Sequence, residues 1–413
     1  MTTIEERPLA PGPGRPPGTL RSLGAAGGRR YAAALVVDAV GAGLLRPFLL
    51  LYGVGVLGMG VGRAGLALSL GMLAGLAVVP LTGRWIDRGA RSLPVAATLV
   101  VRAAGVGVLL AGHGAGGFTV AAVLLGVGSQ SWPTTHAAFV ATLVTGRVRD
   151  AALAAGRSLR NAGLGVGALI ATVVLSGGAG ALRVLALVTG AACLTAAALV
   201  GSMRVSAARV PAARVAGARV AGAQPDGTAW LGALSVANLP YAFCFDVLEV
   251  ALPALLVTGL HASPGWPSGI FVGNTVLVIT LQVALVVRLS RYPRRTVFGW
   301  AGWLLAVAYL GFWAAGGLGG TAGAAAVAGV SVLYTVGEIL YAGSGTALVV
   351  ASAPPQLLGR ALARWELSTG LGRAAAPAAL TGLLAVGPGV LWGVMAVGTA
   401  LAALAVRRLA PAR

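Results

Sequence analysis

The stretch Gly83-Arg84-Trp85-Ile86-Asp87-Arg88-Gly89-Ala90-Arg91 is the turning point of this sequence. It packs three arginines and an aspartate between two apolar runs, 64–82 and 93–112, whose only charge is Arg102. Spanning about 30 Å of hydrocarbon takes roughly 20 apolar residues as a helix. Both runs have that length. A short charged break between them reads as a hydrophilic connection joining two membrane helices at one face of a bilayer.

The same alternation continues in both directions. Twelve apolar runs are found, near 32–57, 64–82, 93–112, 118–144, 161–177, 182–203, 229–257, 267–287, 297–315, 321–350, 366–386 and 388–406. The fifth is the shortest, and its Gly163, Gly165 and Gly167 predict a close helix contact of the small-residue kind. Over 413 residues only 10% are charged, against about 25% in a soluble domain that must coat its surface with polar groups. So few charges leave lipid as the matching solvent, and the expected fold class is an all-α integral membrane protein of twelve helices.

The net charge of +20 comes from 30 basic residues, every one an arginine. A basic excess of that size also suits nucleic acid, but here the arginines are spread between apolar runs without interleaved aromatics. Their placement gives a topology. With the N-terminus in the cytoplasm, the even-numbered connections and both tails hold 25 arginines and the external loops two, Arg63 and Arg183. That is a strong positive-inside asymmetry, consistent only with an even number of spans and both termini inside. A cell-membrane location follows.

The chain divides into a proline-rich polar tail (1–30), a first six-helix bundle (31–204), a linker (205–228), a second bundle (229–409) and a short tail (410–413). The linker carries Arg209-Val210, Arg214-Val215 and Arg219-Val220 and shows no periodicity of its own. No cleaved signal peptide is expected, so the first helix acts as its own insertion signal. Cys193 and Cys244 sit inside apolar runs and read as small buried hydrophobes. No metal cluster, phosphate loop or nucleophile motif is present in the sequence, and no metal or cofactor is expected.

The Gly83-to-Arg91 loop resembles the signature Gly-x-x-x-Asp-Arg-x-Gly-Arg-Arg of the major facilitator superfamily, in the same position between the second and third helices. Gly83, Asp87, Arg88 and Arg91 match; Gly89 and Ala90 depart. Further likenesses are Asp38-x-x-Gly41-x-Gly43-x-x-x-Pro47 in the first helix and Arg160-Asn161-x-Gly163-x-Gly165-x-Gly167 opening the fifth. Gly337-Glu338 in the tenth and Ala353-Pro354-x-x-x-x-Gly359-Arg360 after it extend the pattern. The closest pattern is that of actinobacterial drug and natural-product exporters. The resemblance implies two six-helix bundles that rock about a midplane site, with the 83–91 loop as a conformational latch. Two features depart from drug/proton antiporters: Ala122 stands where an arginine is usual, and the fifth helix lacks a Gly-Pro pair.

Charges inside apolar runs cost about 2.5–3.5 kcal/mol at mid-helix and mark sites. Asp38, Arg46, Asp246, Glu249 and Glu338 are the proton-coupling candidates, with Arg46 or Arg102 as the partner of Asp38. Asp246 and Glu249, three apart, are expected on one helix face. Arg102 and Arg373 are the remaining charges within runs. Gln130, Trp132, His136, Asn238, Tyr241, Phe245, Asn274 and Gln282 are candidates to line an apolar cavity with a few polar groups. His113 and His261 fall in external loops.

Together these readings predict a monomeric secondary transporter, not an enzyme, whose partners are a small-molecule substrate, protons and the lipid bilayer, with no nucleic acid. Proton-coupled efflux of a mostly apolar compound is the first expectation, and import of a metabolite by proton symport or facilitation the alternative. A polytopic enzyme would need convergent acid, base or metal ligands at one membrane face, whereas these acids are dispersed through the runs.

Overall fold

The computed structural model describes residues 28–174, 179–203, 205, 229–263 and 265–409. Apart from Gly28, Arg29 and Arg30, which open the first helix, the N-terminal tail lies outside these residues. So do nearly all of the linker and residues 410–413.

The described residues are helical almost throughout. The helices are α1 (Gly28–Leu45), α2 (Leu49–Gly55), α3 (Val61–Asp87), α4 (Ser92–Ala111), α5 (Gly114–Leu143), α6 (Gly146–Val174) and α7 (Ala179–Gly201) in the first half. The second half holds α8 (Ala229–Ala242), α9 (Gly265–Leu289), α10 (Arg294–Gly316), α11 (Gly320–Ser352), α12 (Leu358–Val386) and α13 (Pro388–Leu409). Each of the twelve apolar runs falls on helix. By length and composition eight helices among the described residues can cross a membrane, and nine if the bent pair α1–α2 counts as one. Helices α5, α6 and α12 fall outside that test. They carry Gln130 and His136, Arg157 and Arg160, and Glu366 and Arg373, so the least apolar helices are those that bring polar groups inward.

Two boundaries differ from the sequence expectation. The fifth apolar run begins at 161, but α6 starts at Gly146; the eleventh begins at 366, but α12 starts at Leu358. Charged residues Arg149 to Arg160, and Arg360 and Arg364, were expected in connections. They belong to helices because one flank of each is apolar and packed. Ala151, Ala152, Ala154 and Ala155 are buried on α6, as are Ala361, Leu362 and Ala363 on α12. Arg157 and Arg160 therefore leave the arginine-rich connections, and the asymmetry between the two faces survives their loss.

Breaks occur where proline interrupts the ladder. Between α1 and α2 a single 3-10 turn, Arg46–Phe48, produces a 40° bend at the residue that lacks an N–H, Pro47. After α8 the chain continues as a short turn, Cys244–Asp246, and then two π-type turns, Val247–Ala251 and Ala254–Gly259, flanking Pro253. Tyr334 donates its hydroxyl proton to the carbonyl of Cys244, occupying an acceptor at this break.

Within the first half α3 packs on α5, α4 on α5 and α7, and α1 on α6 and α7. Within the second, α10 packs on α11 and α13, and α8 on α12 and α13. Small residues set several of these contacts. A Cβ on Gly163 would meet Ala39, and one on Gly167 would lie 2.4 Å from the Val40 carbonyl oxygen, so α1 and α6 touch through backbone. Gly165, expected to share that contact, faces open space instead. Large apolar side chains cover the outer surface, among them Leu169 (70% exposed) and Val173 (74% exposed), as a lipid-facing wall requires. The second half holds the larger core, with Tyr309, Phe312, Tyr334 and Trp392 fully enclosed.

The halves meet along two helix pairs, α3 with α12 and α6 with α9. Numbered by the apolar runs of the sequence, these are the second with the eleventh and the fifth with the eighth. Adding six to each member of the first pair, cyclically, yields the second, the relation expected of a twofold repeat along the membrane normal.

Candidate functional site

The arginine-rich face holds the ends of α3, α5, α9 and α11 and the starts of α4, α6, α10 and α12. Here the halves are tied twice. Asp87, closing α3, accepts a hydrogen bond from the Gly359 N–H at 2.7 Å through Oδ1 and from Arg360 Nε at 2.7 Å through Oδ2. The Gly359 amide belongs to the first turn of α12 and has no intrahelical partner, so the carboxylate both caps that helix and opposes its dipole. Gly83 makes the approach possible, since a Cβ there would lie 2.6 Å from the Gly359 carbonyl oxygen.

Arg91 braces the loop from within. It donates to the Ile86 and Ala90 carbonyls at 2.5 and 2.9 Å and to Thr142 at 2.7 Å, binding the connection to the end of α5. Burial pulls its guanidinium below the ordinary arginine range, and the Asp87 carboxylate opposes that shift. Arg88 points outward and is exposed.

The second tie is the repeat-related one. Asp150 near the start of α6 accepts from Arg294 Nε at 2.9 Å and Nη2 at 2.6 Å, with Arg149 at 3.4 Å. In both ties the first half supplies the acid and the second half the arginine. The sequence reading singled out Asp87 in the 83–91 loop and missed Asp150–Arg294, because Arg149 and Asp150 lay in what read as a connection.

Farther from this face the interior carries charge. Asp38 and Arg102 form a buried ion pair, Nη1 to Oδ1 at 2.5 Å, with the two side chains 5% and 6% exposed. Room for it comes from Gly128, where a Cβ would meet Arg102 Cγ at 2.4 Å. Of the two partners expected for Asp38 the structure selects Arg102. Arg46 stays exposed although it lies between α1 and α2.

Arg157 and Arg160 extend from α6. Arg160 stacks over Trp132 with its guanidinium carbon 4.4 Å from the ring centroid, and Trp132 in turn stacks on His136 at 4.6 Å. His136 Nδ1 lies 2.5 Å from the Tyr31 hydroxyl. Gly156 is pressed under its ring, 2.6 Å from Nε2 for a built Cβ, so this histidine is packed and serves as the base of the stack. Gln130 is half-buried against Gly75 of α3.

From the second half come Asp246, Glu338, Glu366 and Arg373. Arg373 Nε is 3.5 Å from Asp246 Oδ2, and its guanidinium lies 5.6 Å from the Phe245 ring centroid. Glu338 accepts from Asn274 Nδ2 at 2.8 Å. Glu366 sits in the field of Arg157 and Arg160. Arg160 lies in the field of both Arg46 and Glu366, Arg157 in that of Glu366 and Glu338, and Glu338 in that of Arg373. Charges from the two halves thus face one another. At roughly 1.5 Å per residue, Arg160, Glu338 and Arg373 each lie about 20 Å from the arginine-rich face, near mid-membrane depth. Arg46 and Arg373 (43% side-chain exposure) remain solvent-accessible there. The two ties hold the halves together at the arginine-rich face.

Four candidates have other roles. Tyr241 is fully enclosed, donates to the Phe298 carbonyl at 3.1 Å and presses on Gly302 of α10; it is core, not cavity wall, because the turn of α8 that carries it faces α10. Asn238 is fully buried and knots three helices, donating to Ser368 and Thr369 and accepting from Tyr341. Gln282 is buried at the α6–α9 seam, accepting from Ser158. Glu249 does not share the face of Asp246: the π-type turn between them leaves Asp246 buried and Glu249 exposed. Arg157, Arg160 and Glu366 were not among the candidates. Each lay at the border of an apolar run, where hydropathy cannot tell a connection from a helix face turned inward.

The sequence matches no family model and no curated protein. Solved structures do match in fold. The human organic anion transporter MFSD10 superposes with a TM-score of 0.72 at 17% identity, covering 94% of this chain and 100% of that one. A bacterial homologue of the iron transporter ferroportin, in an outward-facing state, gives 0.70 at 15% identity over 92% and 99%. The major facilitator superfamily transporter FucP, in its outward conformation, gives 0.72 at 14% identity over 93% and 100%. The chain therefore has the fold of major facilitator transporters.

Proposed function

We propose that the chain is a multi-pass, twelve-crossing secondary active transporter that carries a small molecule by alternating access. The observation that carries this reading is the set of interior charges that two repeat-related halves bring to face one another, with the halves tied at one face through Asp87 and Asp150. Breaking those ties while closing the other end exposes the same cavity to the opposite side. With the arginine-rich face in the cytoplasm, as the arginine distribution favours, the tied face is the cytoplasmic one, the arrangement expected of an outward-facing state.

Protons are the proposed coupling ion. Glu338 and Glu366 are interior carboxylates that reach the cavity, and a carboxylate that exchanges its charge with conformation couples the proton gradient to the motion. A monovalent charge crossing 100 mV supplies about 2.3 kcal/mol. Asp38, the first sequence candidate, is held by Arg102, so its role in this reading is to fix α1 against α4. The similar solved structures include a fucose:proton symporter as well as the organic anion transporter, which is consistent with proton coupling and with either direction. Export of a small molecule remains the first reading of direction and uptake together with a proton the second.

The test is transport by the purified full chain in liposomes, using compounds that raise its thermal stability as substrates. An imposed pH gradient drives accumulation by the wild type. Glu338→Gln and Glu366→Gln retain exchange across the membrane and lose gradient-driven accumulation in at least one case. Accumulation at the wild-type level in both variants rules out their coupling role, and a stabilising ligand that never crosses rules out transport.

A further inference from the structure

The two walls of the central cavity differ in charge. On the first-half wall Arg46, Arg157 and Arg160 face inward, and the one acid of that wall, Asp38, is consumed by Arg102. None of the three makes an ion pair with a carboxylate among the described residues. The second-half side carries Asp246, Glu338 and Glu366, with Arg373 as the cation beside Asp246. Three arginines without a bonded counter-ion at membrane depth are costly to keep unless something anionic visits them. The planar guanidinium suits a carboxylate, sulfonate or phosphate, whose oxygens it can meet in a fork. Arg160 is also pre-positioned, since stacking on Trp132 fixes the plane of its guanidinium and leaves the N–H edge to project. Across from those donors the half-buried Phe245 offers apolar surface.

We propose that the substrate is an amphipathic organic anion whose acidic group binds Arg46, Arg157 and Arg160 while its apolar body lies against Phe245. This rests on the transport reading and specifies what is carried. Glu366 is the competitor: it shares the field of Arg157 and Arg160, so the anion replaces it as their counter-ion. An anion bound there neutralises the wall opposite the acids and draws the halves together around the cavity.

The test uses the full chain in nanodiscs of zwitterionic phosphatidylcholine and equilibrium binding of four radiolabelled probes of one shape. These are 2-naphthoate, naphthalene-2-sulfonate, 2-naphthalenemethanol and 2-naphthylmethylammonium. At least one anion is expected to bind 10-fold or more tighter than the alcohol and the amine. Arg160→Gln and Arg46→Gln each weaken the anion at least 10-fold and leave the alcohol unchanged, which controls for a damaged fold. Glu366→Gln tightens the anion several-fold. Equal or tighter binding of the alcohol or amine, no binding of either anion, or anion binding indifferent to both arginine variants overturns the proposal. Counterflow of the same probes in liposomes separates this from the transport reading: flux of the alcohol or amine alone keeps transport and removes the anion, whereas selective anion binding without flux does the reverse.

Discussion

Replacing Asp87 by Asn removes one negative charge from the tie at the arginine-rich face and changes the volume hardly at all. Two bonds weaken. The Gly359 N–H loses a charged acceptor, a difference of about 1.5 kcal/mol between a charge-assisted and a neutral hydrogen bond. Arg360, whose side chain is 52% exposed, loses an ion pair of about 0.5 kcal/mol. Together about 2 kcal/mol moves against the closed face, which is roughly a 30-fold change in its equilibrium with the open one. Asp150–Arg294 is untouched and limits the effect. Hydrogen–deuterium exchange of the segment beginning α12 reads this directly, because the Gly359 amide has no protection other than Asp87. Exchange there should quicken by about 30-fold, and adding Asp150→Asn should multiply the effect. Unchanged exchange in both the single and the double variant would refute the latch.

The buried pair Asp38–Arg102 should behave differently from a surface one. Arg102→Leu leaves Asp38 as an uncompensated interior charge and is expected to lower unfolding stability by about 3 kcal/mol or more, while Asp38→Leu with Arg102→Met recovers most of the loss; chemical denaturation in micelles measures both. Tyr241→Phe removes one hydrogen bond to Phe298 and should cost about 1 kcal/mol with ligand affinity unaltered, which separates a core tyrosine from a cavity one by binding. Gly83→Val places a side chain where 2.6 Å separates its Cβ from the Gly359 carbonyl oxygen, so the arginine-rich face cannot close; alkylation of a cysteine at Ser131 should become faster from that side.

Much of the fold is legible in the sequence because lipid imposes a length and a sign rule on it. Each of the twelve runs lies on helix, and the 83–91 loop marks the latch that Asp87 makes. The charged residues that were missed share one cause. Hydropathy reads the mean character of a window, and the helices that line the cavity are amphipathic at their ends. Arg157 and Arg160 therefore looked like connection residues, although the alanines beside them on the opposite flank are buried, and Glu366 stood at the very edge of its run. Tyr241 and Gln282 failed for another reason: helical spacing gives relative faces, and only packing against α10 and α6 says which face meets a neighbouring helix. The π-type turn at Val247–Ala251 likewise has no signal in the sequence beyond the nearby Pro253, so the shared face assigned to Asp246 and Glu249 did not survive it.

Alternating access itself is tested by two distances measured in one preparation. Spin labels at exposed Thr145 and Gln356 report the arginine-rich face, and labels at exposed Gly60 and Ser263 report the opposite one. Pulsed dipolar spectroscopy of both pairs in nanodiscs, across pH and with a stabilising ligand, should show the first distance lengthening whenever the second shortens. Two distances that change together, or a second distance that stays fixed while the first opens, would contradict the account.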